Sequence, residues 1–506
     1  MRRKKALKNV ISSMILQIIT IVCGFIIPKL IIQKYGSNVN GLITSITQFL
    51  GYIALLESGF GPVVKSLLYK PIAQKDTIEI ENILKATEKF FRKIASIFII
   101  YIVFLCVMYP FLLNGEFDSM YTISLLIIIS ISTFAEYFFG MTYRLFLHAE
   151  QQSYIVSCIQ AITTILNAFL TILLIRFGAN IHVVKMISTI IFIFRPILQN
   201  IYVKKKYKIN LKNAKNDFII KKKWDGLAQH IAAVIHDKTD VVVLTVFASV
   251  TYVSVYSIYS LVIRGVKNFI ISIASAMEAT FGDMIAKKEY ENLNQKFSMY
   301  EYIYISICTL FFSCTSILII PFVKVYTIGI NDANYIYPIF AIILVTAEFF
   351  DTLKSPYSLI TYGAGHFKET QKGAWLECFI NLLLSIIMVF RFGLIGVAIG
   401  TVVAVFIRML EFMYHSAKYI LNRKVSKSYF RFFIALIQYF SLIFFAKFVG
   451  QEGNLNYISW IIYSFKIFIL SAMFIISINS IVYKKDVVVV FELLKKRKSE
   501  KNANNN

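Results

Sequence analysis

Apolar residues run along this chain in blocks long enough to cross about 30 Å of hydrocarbon, divided by short stretches dense in lysine and arginine. Fourteen such blocks are centred near residues 21, 52, 103, 134, 164, 191, 237, 266, 313, 347, 380, 404, 439 and 471. The second, eighth and tenth are long enough to tilt or to run on into the cytoplasm. The pattern predicts an all-α integral membrane protein with about fourteen transmembrane helices.

The first block follows Arg2, Arg3, Lys4, Lys5 and Lys8 directly and shows no small-residue cleavage pattern, so it reads as a retained helix with its N-terminus in the cytoplasm. Every second loop must then be rich in Lys and Arg. The loops comply: Lys70 to Lys93, nine lysines from Lys204 to Lys223, then Lys287, Lys288 and Lys296, Lys418 to Lys427, and Lys495 to Lys501. The opposite side offers Lys34, Arg176, Lys324 and Arg391, with the acids Glu116, Asp118 and Asp332. Both termini are placed in the cytoplasm, and no outer loop exceeds about a dozen residues, too short for a domain of its own.

Composition agrees, with 58% apolar and only 16% charged residues and a mean hydropathy of +0.67. A net charge of +25 could point to nucleic acid, but its confinement to alternate loops is explained by topology, so no nucleic-acid partner is expected. The six cysteines, at 23, 106, 158, 308, 314 and 378, all fall inside spans at no metal-ligand spacing and read as small packing residues; no metal site is expected. No G-x-x-x-x-G-K-[ST] and no H-E-x-x-H occurs. Gly396 and Gly400 form a G-x-x-x-G that suits close helix packing.

Residues 143 to 203 and 357 to 416 repeat one another. Tyr143, Arg176-Phe177-Gly178 and Arg195 fall opposite Tyr357, Arg391-Phe392-Gly393 and Arg408, at offsets of 213 to 215 residues. The repeat divides the chain into a six-helix bundle over 1–203, a basic linker over 204–223, a second six-helix bundle over 224–416, two further helices over 417–484 and a basic tail over 485–506. An even number of spans per half makes these parallel repeats, with a cleft expected between them. Duplicated halves that enclose a path are a transporter's design.

Ionisable groups inside the spans carry the functional evidence, since each costs on the order of 2.5 to 3.5 kcal/mol at the bilayer centre. Helix 1 holds Lys29 after Pro28; helix 2 holds Glu57 and Lys65 around Gly59, Gly61 and Pro62. The two lysines can snorkel to opposite surfaces, whereas Glu57 lies deeper. Helix 7 carries His236-Asp237-Lys238-Thr239-Asp240, where His236, Asp237 and Asp240 share a face, as a proton- or cation-exchanging site requires. The competing reading is a structural network neutralised by helix 1 or 8.

Helix 8 places Arg264 and Lys267 on one face, with Tyr259 and Tyr256 about one and two turns earlier. A planar guanidinium in a wet membrane cavity suits a phosphate or diphosphate. Helix 10 holds Glu348, Asp351 and Lys354, a ladder that could satisfy itself, and Glu136 in helix 4 lies near the equivalent position. Arg195 and Arg408 are placed at the cytoplasmic ends of helices 6 and 12.

With these residues in view the chain resembles the Wzx-type polysaccharide flippases, the polysaccharide transporter branch of the multidrug/oligosaccharidyl-lipid/polysaccharide exporter superfamily. The resemblance covers nearly the whole chain. It rests on the two six-helix bundles plus two helices, on Pro28-Lys29-Leu30 through Tyr35-Gly36 and Asn40-Gly41-Leu42, on Leu56-Glu57-Ser58-Gly59-Phe60-Gly61, and on Asp240 leading into an apolar run and Tyr256. It implies a flippase that turns undecaprenyl-diphosphate-linked oligosaccharide units from the cytoplasmic to the outer face of a bacterial plasma membrane by alternating access, with membrane lipid and other polysaccharide assembly proteins as partners. Related lipid II flippases use basic residues of helices 1, 2 and 8 near the diphosphate. Helix by helix, that implies Lys29, Lys65 and Arg264 here, with Lys267 beside them. No cofactor is implied beyond a coupling ion, H+ or Na+, at Asp237, Asp240, His236 or Glu57, or the membrane potential itself.

Three rivals stay open. A multidrug exporter of the same superfamily would line its cleft with acids and aromatics. An intramembrane lipid-sugar transferase would need a general base and an acceptor site. A scaffold for polysaccharide assembly would leave the buried charges without work.

The topology makes its own prediction. A cysteine placed at Lys212 in a cysteine-free background is expected to react with an impermeant maleimide only after the cells are permeabilised; labelling of intact cells would overturn the assigned orientation.

Overall fold

The computed structural model describes residues 2–57, 59–113, 115–211, 214, 227–275, 277–449 and 456–484. Most of the 204–223 linker and the 485–506 tail lie outside the described residues. Those described are helical, with no strand among them.

Among the described residues fourteen long helices follow in order: α1 Arg2–Tyr35, α2 Ser37–Glu57, α3 Thr77–Leu112, α4 Ser119–Ala149, α5 Ser153–Arg176, α6 Ile181–Tyr207, α7 Leu227–Phe247, α8 Val250–Ser275, α9 Tyr290–Tyr326, α10 Pro338–Gly363, α11 Gln371–Phe392, α12 Leu394–Ile420, α13 Ser426–Ala446 and α14 Tyr457–Val482. Twelve are long and apolar enough to cross a membrane, and the chain is a multi-pass membrane protein. The other two are α7 and α10. Asp237, Lys238 and Asp240 in one, and Glu348, Asp351 and Lys354 in the other, interrupt the apolar run with three ionisable residues each.

The chain forms two compact units, Met1–Ser257 with Gly329–Ala333, and Ile258–Ile328 with Asn334–Asn506. In the first, the glycines of the opening strings have structural reasons. Gly36 takes φ +91° between α1 and α2, and the next residue, Ser37, donates its amide and hydroxyl to Asp332 at 2.6 and 2.8 Å, which caps α2. At Gly41 a Cβ would collide with the carbonyl of Val250, so only glycine lets the start of α8 approach. Asn40 and Ser45 extend that seam through Ser254 at 2.9 Å and Thr245 at 2.6 Å.

The repeat is visible inside each unit. The Arg-Phe-Gly strings end α5 and α11, and Gly178 and Gly393 take φ +77° and +54° there. A short helix precedes each third span, Phe60–Gln74 before α3 and Glu278–Ala286 before α9, with left-handed Lys75 and Lys288 in the turns. Arg195 Nε donates to Thr163 Oγ1 at 2.7 Å, and Arg408 Nε pairs with Glu377 Oε2 at 3.4 Å, so both arginines address equivalent positions of the preceding helix. Both sit in mid-helix and do not cap helix ends as expected; Arg195 donates to Thr163 and Thr164 of α5, and Arg408 to Glu377 of α11, to the Thr370 carbonyl and to Glu411 one turn along its own helix.

Gly396 and Gly400 pack as the G-x-x-x-G spacing suggests: a Cβ on either would strike the Met388 carbonyl or Ser385 of α11. The second unit also buries Glu301 completely. Its carboxylate accepts from Tyr357 at 2.7 Å, Ser428 at 2.7 Å, Arg423 at 2.6 Å and Arg431 at 2.6 Å, which binds α9, α10 and α13 together. Further along α13 and α14, Gln438 donates to Asn479 at 2.8 Å and Asn479 to Ser306 at 3.0 Å, while Tyr439 meets Ser316 and Thr346 at 2.6 and 3.0 Å. Polar contacts of this kind hold helices together where lipid is as apolar as leucine. All six cysteines are free.

Two substitutions test these contacts by thermal unfolding in detergent. Gly400→Leu is expected to destabilise the protein by about 3 kcal/mol or to abolish its recovery; a wild-type melting temperature would show that the α11–α12 contact is loose. Glu301→Ala strands two buried guanidiniums and is expected to cost about 3 to 5 kcal/mol, with Glu301→Gln milder.

Candidate functional site

The densest ionic arrangement lies in the second unit and crosses four helices. Lys267 of α8 sits between two carboxylates of α10, with its Nζ 2.7 Å from Glu348 Oε2 and 2.7 Å from Asp351 Oδ2. The other Asp351 oxygen holds Lys354 at 2.6 Å, and Lys354 reaches Glu377 of α11 at 3.5 Å. Glu377 then meets Arg408 of α12, whose Nη1 pairs with Glu411 at 2.6 Å and donates to the Thr370 carbonyl at 2.9 Å. Room for Glu411 exists because residue 373 is glycine; a Cβ there would overlap its carboxylate.

The spacing of Glu348, Asp351 and Lys354 suggested a ladder closed within one helix. Only Asp351 to Lys354 closes that way. Glu348 reaches across to α8 and Lys354 continues to α11, because the i, i+3, i+6 positions fan around the helix and meet different neighbours. The result is an alternating string of four carboxylates, Glu348, Asp351, Glu377 and Glu411, with three bases, Lys267, Lys354 and Arg408. Such a string exchanges partners when a proton or a cation arrives at one acid, since each base is shared between two acids or held by several acceptors.

Two smaller groups lie in the first unit. Asp240 is buried and accepts the Tyr256 hydroxyl at 2.9 Å, while Tyr52 bonds to Thr239 and lies against the same carboxylate. Asp237, three residues earlier, is exposed, so the two acids that share a helical face differ in environment. His236 is half-buried. Lys238 turns away to Gln48 at 3.2 Å and lies over Gly51, where a Cβ would come within 2.5 Å of its Nζ. The second group surrounds Glu57, which bonds to Tyr137 and has Arg144 and His230 nearby, while Arg144 also donates to Glu136.

Among the residues marked for substrate, Arg264 is exposed on α8 and Lys29 and Lys65 are half-buried, Lys65 lying beside His148. Lys267 is held by its two acids. The hydroxyls of Tyr256 and Tyr259 are engaged internally, Tyr259 donating to the Tyr335 carbonyl at 2.6 Å and accepting from the Tyr337 amide at 3.2 Å. Sequence reasoning passed over Glu377, Glu301, Arg423 and Arg431. Glu377 had a signal, a lone acid in the apolar run of α11; Arg423 precedes α13 and Arg431 lies in its second turn, where charge is ordinary, and Glu301 follows the charged opening of α9.

No family model matches the chain, and no curated protein matches it. Solved structures do. Lipid II flippase MurJ in an inward closed conformation is similar with a TM-score of 0.68 and 16% identity, over 95% of this chain and 99% of that one. A multidrug resistance MATE family transporter of the MOP superfamily, inward-facing, gives 0.62 and 16% identity over 83% of this chain and 98% of the other. The MATE multidrug transporter DinF-BH gives 0.58 and 17% identity over 84% and 96%. The fold of this chain is the one shared by MurJ and the MATE transporters.

Proposed function

We propose that this protein is a transporter and not an enzyme: a flippase that carries undecaprenyl-diphosphate-linked oligosaccharide units from the cytoplasmic to the outer face of a bacterial plasma membrane by alternating access, for cell-surface polysaccharide. One observation carries the choice of a lipid-linked substrate. MurJ, a lipid II flippase by name, is matched over 95% of this chain, whereas the MATE transporters are matched almost whole by 83% and 84% of it.

In this reading Arg264, exposed and always charged, takes the diphosphate, with Lys29 and Lys65 as further cations. Lys267 serves as an exchangeable partner: protonation of Glu348 or Asp351 releases its ammonium to the anion. Tyr256 and Tyr259 fix the rotation of α8 through Asp240 and Tyr335. Asp240 and Glu57 are the coupling acids, with Asp237 and His236 at the exposed edge, and H+ or Na+ as the ion.

A second reading, export of a lipophilic cation, is favoured by one feature. The string around Asp351 holds four acids against three bases, and its cations are occupied.

Transport by purified protein in liposomes tests both. Arg264→Ala is expected to lower the initial rate of undecaprenyl diphosphate oligosaccharide movement about tenfold or more, the loss of one or two charge-assisted hydrogen bonds; full activity in a folded variant removes the anchor of the diphosphate site. Asp240→Asn is expected to abolish stimulation by an imposed proton or sodium gradient while binding persists. Unchanged stimulation would move coupling elsewhere.

A further inference from the structure

Beside the ionic string, the second unit brings two histidines together. His366, in the turn that joins α10 to α11, and His415, near the end of α12, are 49 residues apart in sequence, and their facing nitrogens, His366 Nδ1 and His415 Nε2, lie 3.0 Å from each other. Their rings meet edge to face at 81°. His415 is buried and His366 half-buried, so the pair is reached from solvent through the turn.

The repeat shows what this pair replaces. In the first unit the Gln151 amide donates to the His148 carbonyl and the Gln152 amide to that of Leu147; in the second the Gly365 amide donates to Tyr362 and the His366 amide to Thr361. Gln151 and Gly365 both take the left-handed conformation, with φ +59° and +79°. Gln152 therefore holds the place of His366. Tyr202 holds the place of His415, each seven residues after the matched arginine. There the Tyr202 hydroxyl donates to Gln152 Oε1 at 3.0 Å, and Lys206 Nζ donates to the same oxygen at 2.8 Å. One contact between turn and helix is thus made twice on the same backbone frame, and in the second unit both of its side chains are imidazoles.

The change suits a cation. A neutral imidazole offers a lone pair to a metal, and nitrogens held by one ion at about 2.0 to 2.1 Å stand about 2.9 to 3.4 Å apart for ligand angles of about 90° to 110°. The two histidines are already at that spacing. Lys206, the cation at this contact in the first unit, gives way to Tyr419, whose ring lies 5.0 Å from that of His415. Glu369 follows His366 on the same turn, within electrostatic range of His415, while Arg408, the basic group in that range, is paired with Glu377 and Glu411. A π-helical turn, Ser416–Ile420, begins directly after His415, a local form frequent at functional sites.

We propose that His366 and His415 bind a divalent transition-metal ion of the zinc class, through Nδ1 of the first and Nε2 of the second, with water in the remaining positions and Glu369 supplying neighbouring negative charge. The ion clips the α10–α11 turn to the end of α12. The site is independent of which substrate the protein carries.

Isothermal titration of Zn2+ into the full chain, purified in detergent without a histidine tag, tests the site. The double variant His366→Gln with His415→Tyr installs the pair that the first unit carries on the same frame, so a folded protein is expected. Wild type is expected to bind one more equivalent of Zn2+ than this variant and to gain melting temperature with it. With Cu2+ as the probe, its electron paramagnetic resonance spectrum is expected to show nitrogen ligands that the double variant lacks. His366→Ala alone is expected to weaken Zn2+ binding more than about tenfold, the cost of losing even an outer partner of a metal ligand; it serves as the second variant should the double one not fold. Equal Zn2+ stoichiometry and affinity in wild type and variants, or no Zn2+ bound by wild type, would overturn the proposal and leave the pair a hydrogen bond.

Discussion

A charge in hydrocarbon has to find its counter-charge inside the protein, and much of this structure is arranged around that demand. Glu301, fully buried, is met by two arginines and two hydroxyls, and in being met it fastens the helix after the twelfth to the ninth and tenth. Asp351 is met by two lysines from two helices. Each such pairing is worth little as net stability, because desolvation offsets most of the attraction, but breaking one side leaves a penalty that specifies which helices lie together.

The same economy gives the second unit its exchangeable character. A base shared by two acids is held firmly on average and loosely by each, so a proton or an anion can redistribute it without leaving a bare charge. Lys267 is the member of the string on the helix that also carries exposed Arg264. At the position equivalent to Glu377 the first unit carries Thr163, whose hydroxyl accepts from Arg195 Nε at 2.7 Å.

Much of the fold was legible because hydrocarbon thickness and charge exclusion act on every span alike. The two helices that fall outside the apolar criterion, α7 and α10, are the ones whose charges had been singled out. The Arg-Phe-Gly repeat was readable, and its glycines prove to take positive φ where α5 and α11 end. The site was less legible. The i, i+3 spacing of Asp237 and Asp240 says they share a face but not that one is buried and the other exposed. Arg195 and Arg408 were matched to each other but expected at helix ends, whereas both lie in mid-helix, because the pattern fixes correspondence and not which neighbour receives the guanidinium. Glu301 with Arg423 and Arg431, more than a hundred residues apart, has no local signature at all.

The most direct test of the central claim is movement of a defined undecaprenyl diphosphate oligosaccharide across liposomes containing the purified wild-type protein, followed by access of an impermeant sugar-modifying reagent to the far leaflet. The account predicts protein-dependent, saturable translocation that a lipophilic cation does not inhibit. No translocation, with active export of the lipophilic cation by the same preparation, would contradict it and make the buried bases counter-ions to a cation path.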